Sequence, residues 1–73
     1  MPLTFAGKGT FRVNNIKGGH SVRNRLAKMG ITEGISISVK NGHYGGPVVV
    51  QLNDSQYGLG VGIASKIDVT PAE

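Results

Sequence analysis

One short amphipathic helix, over about residues 22–29, constrains this sequence more than any other feature. The segment has the sequence V-R-N-R-L-A-K-M, in which Val22, Leu26 and Met29 recur at helical spacing and form one apolar stripe. Isolated helices shorter than roughly 12 to 15 residues are marginal in water. The helix is therefore expected to be stabilised by packing its stripe against a sheet.

Residues with known preferences for helix ends flank this segment. Ser21 is predicted to cap the first turn through its hydroxyl group. Gly30 suits the left-handed residue that ends a helix, and Gly34 suits the turn before the next strand. Both helix ends are thus expected close to the ends of the apolar stripe.

The remainder of the chain has the patterns of short strands. Ile35, Ile37 and Val39 alternate with polar residues, which is the period of two expected when one face of a strand is buried. Near the start of the chain, Leu3 and Phe5 are predicted to plug one end of the core. The predicted strands cover about residues 10–16, 35–40, 47–52, 57–63 and 67–69, with turns at 17–20, 41–46, 53–56 and 64–66 and a frayed tail at 70–73.

Glycine is frequent in the predicted fourth strand. Tyr57, Leu59, Val61 and Ile63 alternate there with glycines, so that one face is apolar and the other is bare backbone. Such a strand can bend sharply or allow another segment to approach closely. A nucleotide-binding loop is the poorer interpretation, because the helix or the Lys-Ser/Thr pair that such loops need does not follow these glycines.

Five short strands, with one helix after the first, are predicted to form a single domain over residues 1–73. A chain of 73 residues has a small core, because a domain of about 60 residues buries only about 60% of the surface of its unfolded chain. We therefore predict a mainly β fold, a small SH3-like β-barrel with one short α-helix. Closure of the barrel would also protect the edges of the sheet.

The composition limits the chemistry that is available. No cysteine is present, which excludes disulfides, thiolate catalysis and cysteine-ligated metal sites. The two histidines, His20 and His43, do not form a metal-ligand pair by spacing, and four acidic residues spread along the chain do not compose an acid–base pair or a nucleophile triad. No enzyme activity, no catalytic or metal-ligating residue and no cofactor are expected.

Positive charge suits this chain to an acidic partner. The formal net charge is +4, although charged residues are only 16% of the chain. Arg25 and Lys28 are neighbours on the predicted helix, whereas Arg23 lies on another side of it. These residues either contact a partner or keep the outer face of the helix soluble. No long apolar segment or signal peptide is evident, so a cytoplasmic location is expected.

Several short motifs occur in an order that is informative as a whole. The most specific is R-L-x-x-M-G-I-x-x-G, from Arg25 to Gly34. The other residues, in chain order, are Gly7, Val13, Ile16, Ile35, Ile37, Val39, Gly46, Pro47, Val48, Val49, Val50, Leu59, Ala64, Ile67 and Val69. Together they resemble the FeoA family, the small cytoplasmic companions of the ferrous-iron transporter FeoB. The resemblance covers nearly the whole chain and departs from the family at residues 60–62, where long polar side chains are often found.

Resemblance to this family implies an SH3-like barrel and a role in Fe(II) uptake through contact with the cytoplasmic, GTP-binding part of FeoB. It implies a protein partner rather than a small-molecule substrate, and no insertion into the membrane by the chain itself. The helix region is predicted to dock on this partner, although Leu26 and Met29 are also the residues that the helix needs for its own packing. The predicted partner-binding residues are Arg23, Arg25, Leu26, Lys28, Met29 and Gly30.

Two other classes of function remain open. A nucleic-acid-binding small barrel would suit the positive charge, although stacking on bases would depend on the four aromatic residues Phe5, Phe11, Tyr44 and Tyr57. A metal-sensing regulatory domain is the second, because the same barrel occurs as the C-terminal domain of iron-dependent repressors of the DtxR type. Weak association of Fe(II) with His20 or His43 would be its signature.

Overall fold

In the part of the chain that the structure describes, the strands form one antiparallel sheet, and one helix is longer than a single turn. A computed structural model describes residues 1–42 and 45–72. The elements in chain order are a 3-10 turn (Leu3–Phe5), β1 (Gly9–Ile16), α1 (Gly19–Ala27), β2 (Ser36–Gly42), β3 (Val48–Leu52), β4 (Ser55–Leu59), α2 (Val61–Ala64) and β5 (Ile67–Pro71). Five strands with one short helix after the first are as predicted. None of the helices in the described ranges is long and apolar enough to cross a membrane.

The sheet has the order β4-β3-β2-β1-β5 and curves around one core. The register shifts between Val13 and Asn15 on β1, and between Val39 and Asn41 on β2. Such shifts bend a strand and increase its twist. Strand β1 therefore pairs with β2 through its first half and with β5 along most of its length. The buried side chains of all five strands converge inside the curve.

The predicted fourth strand is shorter than expected. Strand β4 ends at Leu59, and the helical turn α2 follows it, so the prediction of one strand over residues 57–63 was wrong. The amide of Ala64 donates to the carbonyl of Gly60 over 2.9 Å, which closes this turn. The turn keeps Ile63 half-buried against the core and Ala64 buried, as a strand would not. The alternation of apolar residues with glycine predicted a strand, but glycine itself has little preference for the strand conformation.

Both ends of the chain are tied to the body of the sheet. Leu3 is fully buried, as predicted, but Phe5 is 45% exposed and does not plug the core. The tail over residues 70–73 was predicted to fray. Thr70 and Pro71 instead extend β5, and the amide of Ala72 donates to the carbonyl of Thr10 over 2.9 Å. Residue 73 lies outside the described part of the chain.

The first residues cover the outer edge of β5. The amine of Met1 lies 2.9 Å from a carboxylate oxygen of Asp68, and its hydrogen bond lowers the pKa of Asp68. Met1 also exchanges backbone hydrogen bonds with Val69, and Pro2 forms an isolated bridge to Asp68. The other edge of the sheet, β4, pairs only with β3 within the described residues. The barrel is therefore not closed by a direct pairing of β4 with β5 there.

Burial of Leu3 predicts a large loss of stability on truncation. Leu3→Ala is expected to lower the free energy of unfolding by about 2–5 kcal/mol, since it removes a fully buried side chain from a small core. Urea denaturation followed by circular dichroism would measure this change. Val61→Ala is the matched control, because Val61 is 49% exposed. Equal effects of the two substitutions would contradict this account of the core.

Candidate functional site

The predicted partner-binding residues lie together on α1 and the turn that follows it. Leu26 is 1% exposed and belongs to the core, where it anchors the helix. Met29 is half-buried against the same core. Arg25, Lys28 and Gly30 are exposed. The candidate surface is therefore formed by Arg25, Lys28, Met29 and Gly30, with Leu26 beneath it.

The start of α1 differs from the prediction. The helix begins at Gly19, with Gly18 as the N-cap residue at φ +104° and without a side-chain cap. Ser21 lies within the first turn, so its predicted role as the cap was wrong. The physical reason is the pair of glycines, whose positive φ values allow the chain to turn directly from β1 into the helix. A Cβ atom added at Gly18 would also lie 2.7 Å from Cγ2 of Val22, which is a steric clash.

The left-handed glycine that follows α1 is as predicted, although the helix ends at Ala27, two residues before the predicted end. Gly30 has φ +86°, the left-handed conformation that favours glycine. Its amide donates to the carbonyl of Ala27, and the amide of Ile31 donates to the carbonyl of Leu26, both over 2.9 Å. These two bonds satisfy carbonyls at the helix end, and Ile31 and Leu26 are both buried beside it. Gly30 therefore shapes the backbone of this surface and has no side chain with which to contact a partner.

Arg23 is held by an ion pair that the sequence analysis did not identify. Its Nη2 atom lies 2.9 Å from Oε2 of Glu33, and the amide of Ile16 donates to the same oxygen over 3.2 Å. The hydrogen bond from Arg23, together with that from Ile16, lowers the pKa of Glu33. Glu33 thus connects α1 to the end of β1. No periodic signal marks this pair, because Arg23 and Glu33 lie on opposite sides of the turn at Gly30.

Arg25 and Lys28 are the free positive charges of the surface. The ion pairs of the described residues are Met1 with Asp68 and Arg23 with Glu33, and neither involves Arg25 or Lys28. Arg25 borders a hollow of about 90 Å³ between α1 and the end of β4. The hollow is lined by Leu26, Met29, Leu59 and Ile63, together with the backbone of Gly58 and Gly60. A positive charge thus stands beside a small apolar depression.

A second, larger hollow of about 430 Å³ lies on the other side of β4. It is lined by residues 41–42, 47–49 and 58–60. The predicted loop histidine, His43, and its neighbour Tyr44 are close in sequence to this lining, but both are outside the described part of the chain.

The described residues do not assemble a metal site. Among them, no group of three or more His, Cys, Asp and Glu side chains lies close enough to hold a metal ion. His20 is exposed in the first turn of α1. The chemistry of the described surface is that of an arginine, a lysine and a half-buried methionine, which suits binding to a protein.

Comparison with known proteins agrees with the motifs. The model of the FeoA domain matches residues 1–71. The chain belongs to the FeoA family. A comparison with curated protein sequences found no match. Among solved structures, the crystal structure of an iron uptake regulatory protein (FeoA) is similar, with 36% sequence identity and a TM-score of 0.84 over 94% of this chain and 93% of that chain.

The similarity to a FeoA crystal structure confirms the predicted SH3-like fold. The FeoA domain match spans the helix, the turn at Gly30 and all five strands. Within this fold, the R-L-x-x-M-G-I-x-x-G motif has a structural basis. Leu26 and Ile31 pack at the helix end, and Gly30 and Gly34 both have positive φ. Arg25 is the motif residue whose charge is exposed, so it is the one available to a partner.

The ion pair of Glu33 predicts a pH-dependent contribution to stability. Since the pKa of Glu33 is lowered in the folded state, this contribution is present above the ordinary carboxyl pKa and is lost as the pH falls through the lower, folded value. Glu33→Gln is therefore expected to destabilise the protein at neutral pH, and its difference from the wild type should shrink as the pH falls below the ordinary carboxyl pKa. Urea denaturation across pH 3–7 would measure the difference.

Asp54→Asn is the control for this comparison. Asp54 lies in the exposed turn between β3 and β4 and forms no ion pair with the described residues. Asp54→Asn is expected to have the stability of the wild type at neutral pH, because the substitution removes no ion pair of the described residues. A difference between wild type and Glu33→Gln that stays constant with pH would contradict the role of the carboxylate.

The conformation of Gly30 predicts strain in any variant with a side chain there. Gly30→Ala is expected to lower the free energy of unfolding by about 1–2 kcal/mol, because alanine disfavours the left-handed conformation. Its Cβ atom would also lie 3.0 Å from Cδ2 of Leu52. Thermal denaturation would compare it with Gly7→Ala, where the added Cβ has no atom within 4 Å. Equal stability of both variants would exclude a requirement for glycine at position 30.

Proposed function

We propose that this chain is a cytoplasmic accessory protein of ferrous-iron transport. It binds the cytoplasmic part of a FeoB-type membrane GTPase transporter and modulates Fe(II) uptake. The observation that carries this proposal is the match of the FeoA domain to residues 1–71. The similar crystal structure, of an iron uptake regulatory protein, supports the same role in iron uptake.

The surface of α1 supports binding to a protein with acidic groups. Arg25 and Lys28 are exposed and lack ion-pair partners among the described residues, so both are available to carboxylates. Met29 is half-buried against the core and lines the same hollow as Arg25, and its flexible thioether can adapt to an apolar contact. Aromatic residues, methionine and arginine are enriched at protein interfaces, whereas buried charges without partners are avoided. The docking surface therefore consists of Arg25, Lys28, Met29 and Gly30.

Arg23 and Leu26 have supporting roles in this proposal. Arg23 forms an ion pair with Glu33 at 2.9 Å, and this pair holds α1 to the segment that follows the turn at Gly30. Leu26 anchors the helix to the core and lines the same hollow as Met29. A partner that contacts α1 thus meets a surface that is already ordered. Such order lowers the entropic cost of binding.

The described aromatic residues give little support to nucleic acid binding. Bases stack on exposed aromatic side chains in single-strand binding proteins. Phe11 is buried in the core, and Tyr57 is half-buried against it. Phe5 is the exposed aromatic residue of the described ranges. The arrangement favours a protein partner over a nucleic acid.

Charge reversal on α1 is expected to weaken association with the transporter. The double variant Arg25→Glu/Lys28→Glu replaces two free cations by anions and should reduce the amount of intact FeoB-type transporter of the same organism that is retained in a pull-down. We expect a loss of at least about tenfold in affinity, since like charges at a contact cost several kcal/mol. Uptake of labelled Fe(II) by cells that carry the variant should change in parallel.

The matched control reverses a charge far from α1. Lys8 is exposed just before β1, and the eight residues of that strand separate it along the chain from the helix. Lys8→Glu should leave both readouts at the wild-type level. Failure of the wild-type protein to bind the transporter, with and without GTP, would contradict the proposed function. Equal losses in the control and the double variant would place the contact elsewhere.

A further inference from the structure

The two edge strands of the sheet, β5 and β4, differ in whether another segment of the described chain covers them. Strand β5 is covered on its outer side by Met1 and Pro2, which bond to Asp68 and Val69. Strand β4 is the other edge and has no covering segment among the described residues. An uncovered edge presents amide and carbonyl groups to which another extended chain can bind. The edge of β4 is therefore a place where a strand can be added.

The hairpin between β3 and β4 determines which groups of β4 point outward. A two-residue turn, Asn53 and Asp54, joins the strands, so Leu52 and Ser55 form the closing hydrogen-bonded pair. Hydrogen-bonded and non-hydrogen-bonded pairs alternate along antiparallel strands. Gln56 and Gly58 consequently occupy the alternate positions, opposite Gln51 and Val49. Their amide and carbonyl groups face away from β3 and have no backbone partner among the described residues.

The backbone at this edge is also accessible from both sides. Gly58 and Gly60 carry no side chains, and a Cβ atom added at either would meet no atom within 4 Å. The hollows of about 90 Å³ and about 430 Å³ both reach these glycines. A chain that lies beside β4 can thus approach closely and place one side chain in the smaller hollow, against Met29 and Ile63. That side chain must be apolar and of modest size.

The positive charge beside β4 indicates which kind of segment can bind at this edge. Arg25 lines the smaller hollow and forms no ion pair with described residues. The chain carries a formal net charge of +4, so a second copy would bring like charges together. A segment with a carboxylate near its apolar residues would instead pair with Arg25. Charge complementarity therefore favours an acidic partner segment over self-association.

We propose that the edge of β4 binds an extended, acidic and apolar segment of a partner protein as an added strand. Its backbone pairs with the outward groups of Gln56 and Gly58, one apolar side chain enters the hollow between α1 and β4, and a carboxylate pairs with Arg25. Such strand addition derives affinity from main-chain hydrogen bonds and specificity from alternate side chains. This inference deepens the proposed function and rests on it for the identity of the partner, because Arg25 and Met29 belong to the same surface.

A model peptide tests the edge without the transporter. The probe is a capped peptide that alternates valine with threonine and has glutamate at both ends, added to the ¹⁵N-labelled protein up to about 1 mM, a range suited to weak complexes. We expect the largest amide shift changes at Gln56 and Gly58, with slower hydrogen exchange of the Gly58 amide. A peptide with lysine in place of glutamate is expected to bind about threefold more weakly, as for an exposed ion pair.

Two proline variants disrupt the proposed contact: Gly58→Pro removes one proposed hydrogen bond, and Gly60→Pro places a ring at a residue that lines the smaller hollow. Gly58→Pro eliminates an outward amide, which edge strands tolerate. Gly60→Pro places proline where φ is already −66°, so it adds a ring at the edge without backbone strain and serves if the first variant does not fold. Both should abolish the shifts at Gln56, whereas the control Gly7→Ala should keep them. Absence of these shifts in the wild type, or their persistence in Gly60→Pro, would overturn the inference.

The pull-down with the intact transporter separates this inference from the proposed function. Wild-type binding that is lost in Gly60→Pro supports both. Wild-type binding that Gly60→Pro retains in full contradicts strand addition and leaves the proposed function in place. Peptide binding at β4 without any transporter binding contradicts the proposed function and supports the edge as a site for a different acidic partner.

Discussion

Packing of α1 on the curved sheet is the interaction on which the rest of the structure depends. A nine-residue helix has little stability of its own in water, so the burial of Leu26 and Ile31 must hold it in place. The left-handed Gly30 lets the chain leave the helix while both apolar residues stay in the core. The ion pair of Arg23 with Glu33 adds a second attachment, to the end of β1. The exposed charges of Arg25 and Lys28 are positioned by these buried contacts.

Curvature of the sheet links this helix to the uncovered edge. The register shifts on β1 and β2 bend the sheet around the core, and α2 carries the chain from β4 to β5 without a direct pairing of these strands among the described residues. The end of β4 thus lies beside α1, with a small hollow between them. The same bend that closes the core leaves backbone groups of β4 beside the free charge of Arg25. A domain with so small a core thus has an exposed charge and exposed backbone hydrogen-bonding groups close together.

Much of this arrangement could be predicted from local patterns. The alternation at Ile37 and Val39 predicted β2, and the glycine after Met29 predicted the left-handed residue that follows α1, because each pattern reports a preference of the backbone or of one face. Ser21 was wrongly assigned as a cap, since Gly18 and Gly19 allow an earlier start that capping preferences do not reveal. The strand predicted over residues 57–63 failed for a related reason. The alternation of apolar residues with glycine does not exclude a helical turn. In α2 only Ile63 and Ala64 pack against the core, and a helical turn can place both of these neighbours there.

The sequence by itself determined the apolar stripe of α1, the alternating strands, the absence of cysteine chemistry and the FeoA motif, because these depend on residue type and on spacing along the chain. Only the tertiary structure decided that, among the described residues, Arg23 has an ion-pair partner while Arg25 has none, and that β5 is covered while β4 is not. These properties depend on contacts between residues that are distant along the chain, such as Met1 and Val69. No local periodicity encodes such contacts, since they arise when the curved sheet brings its segments together.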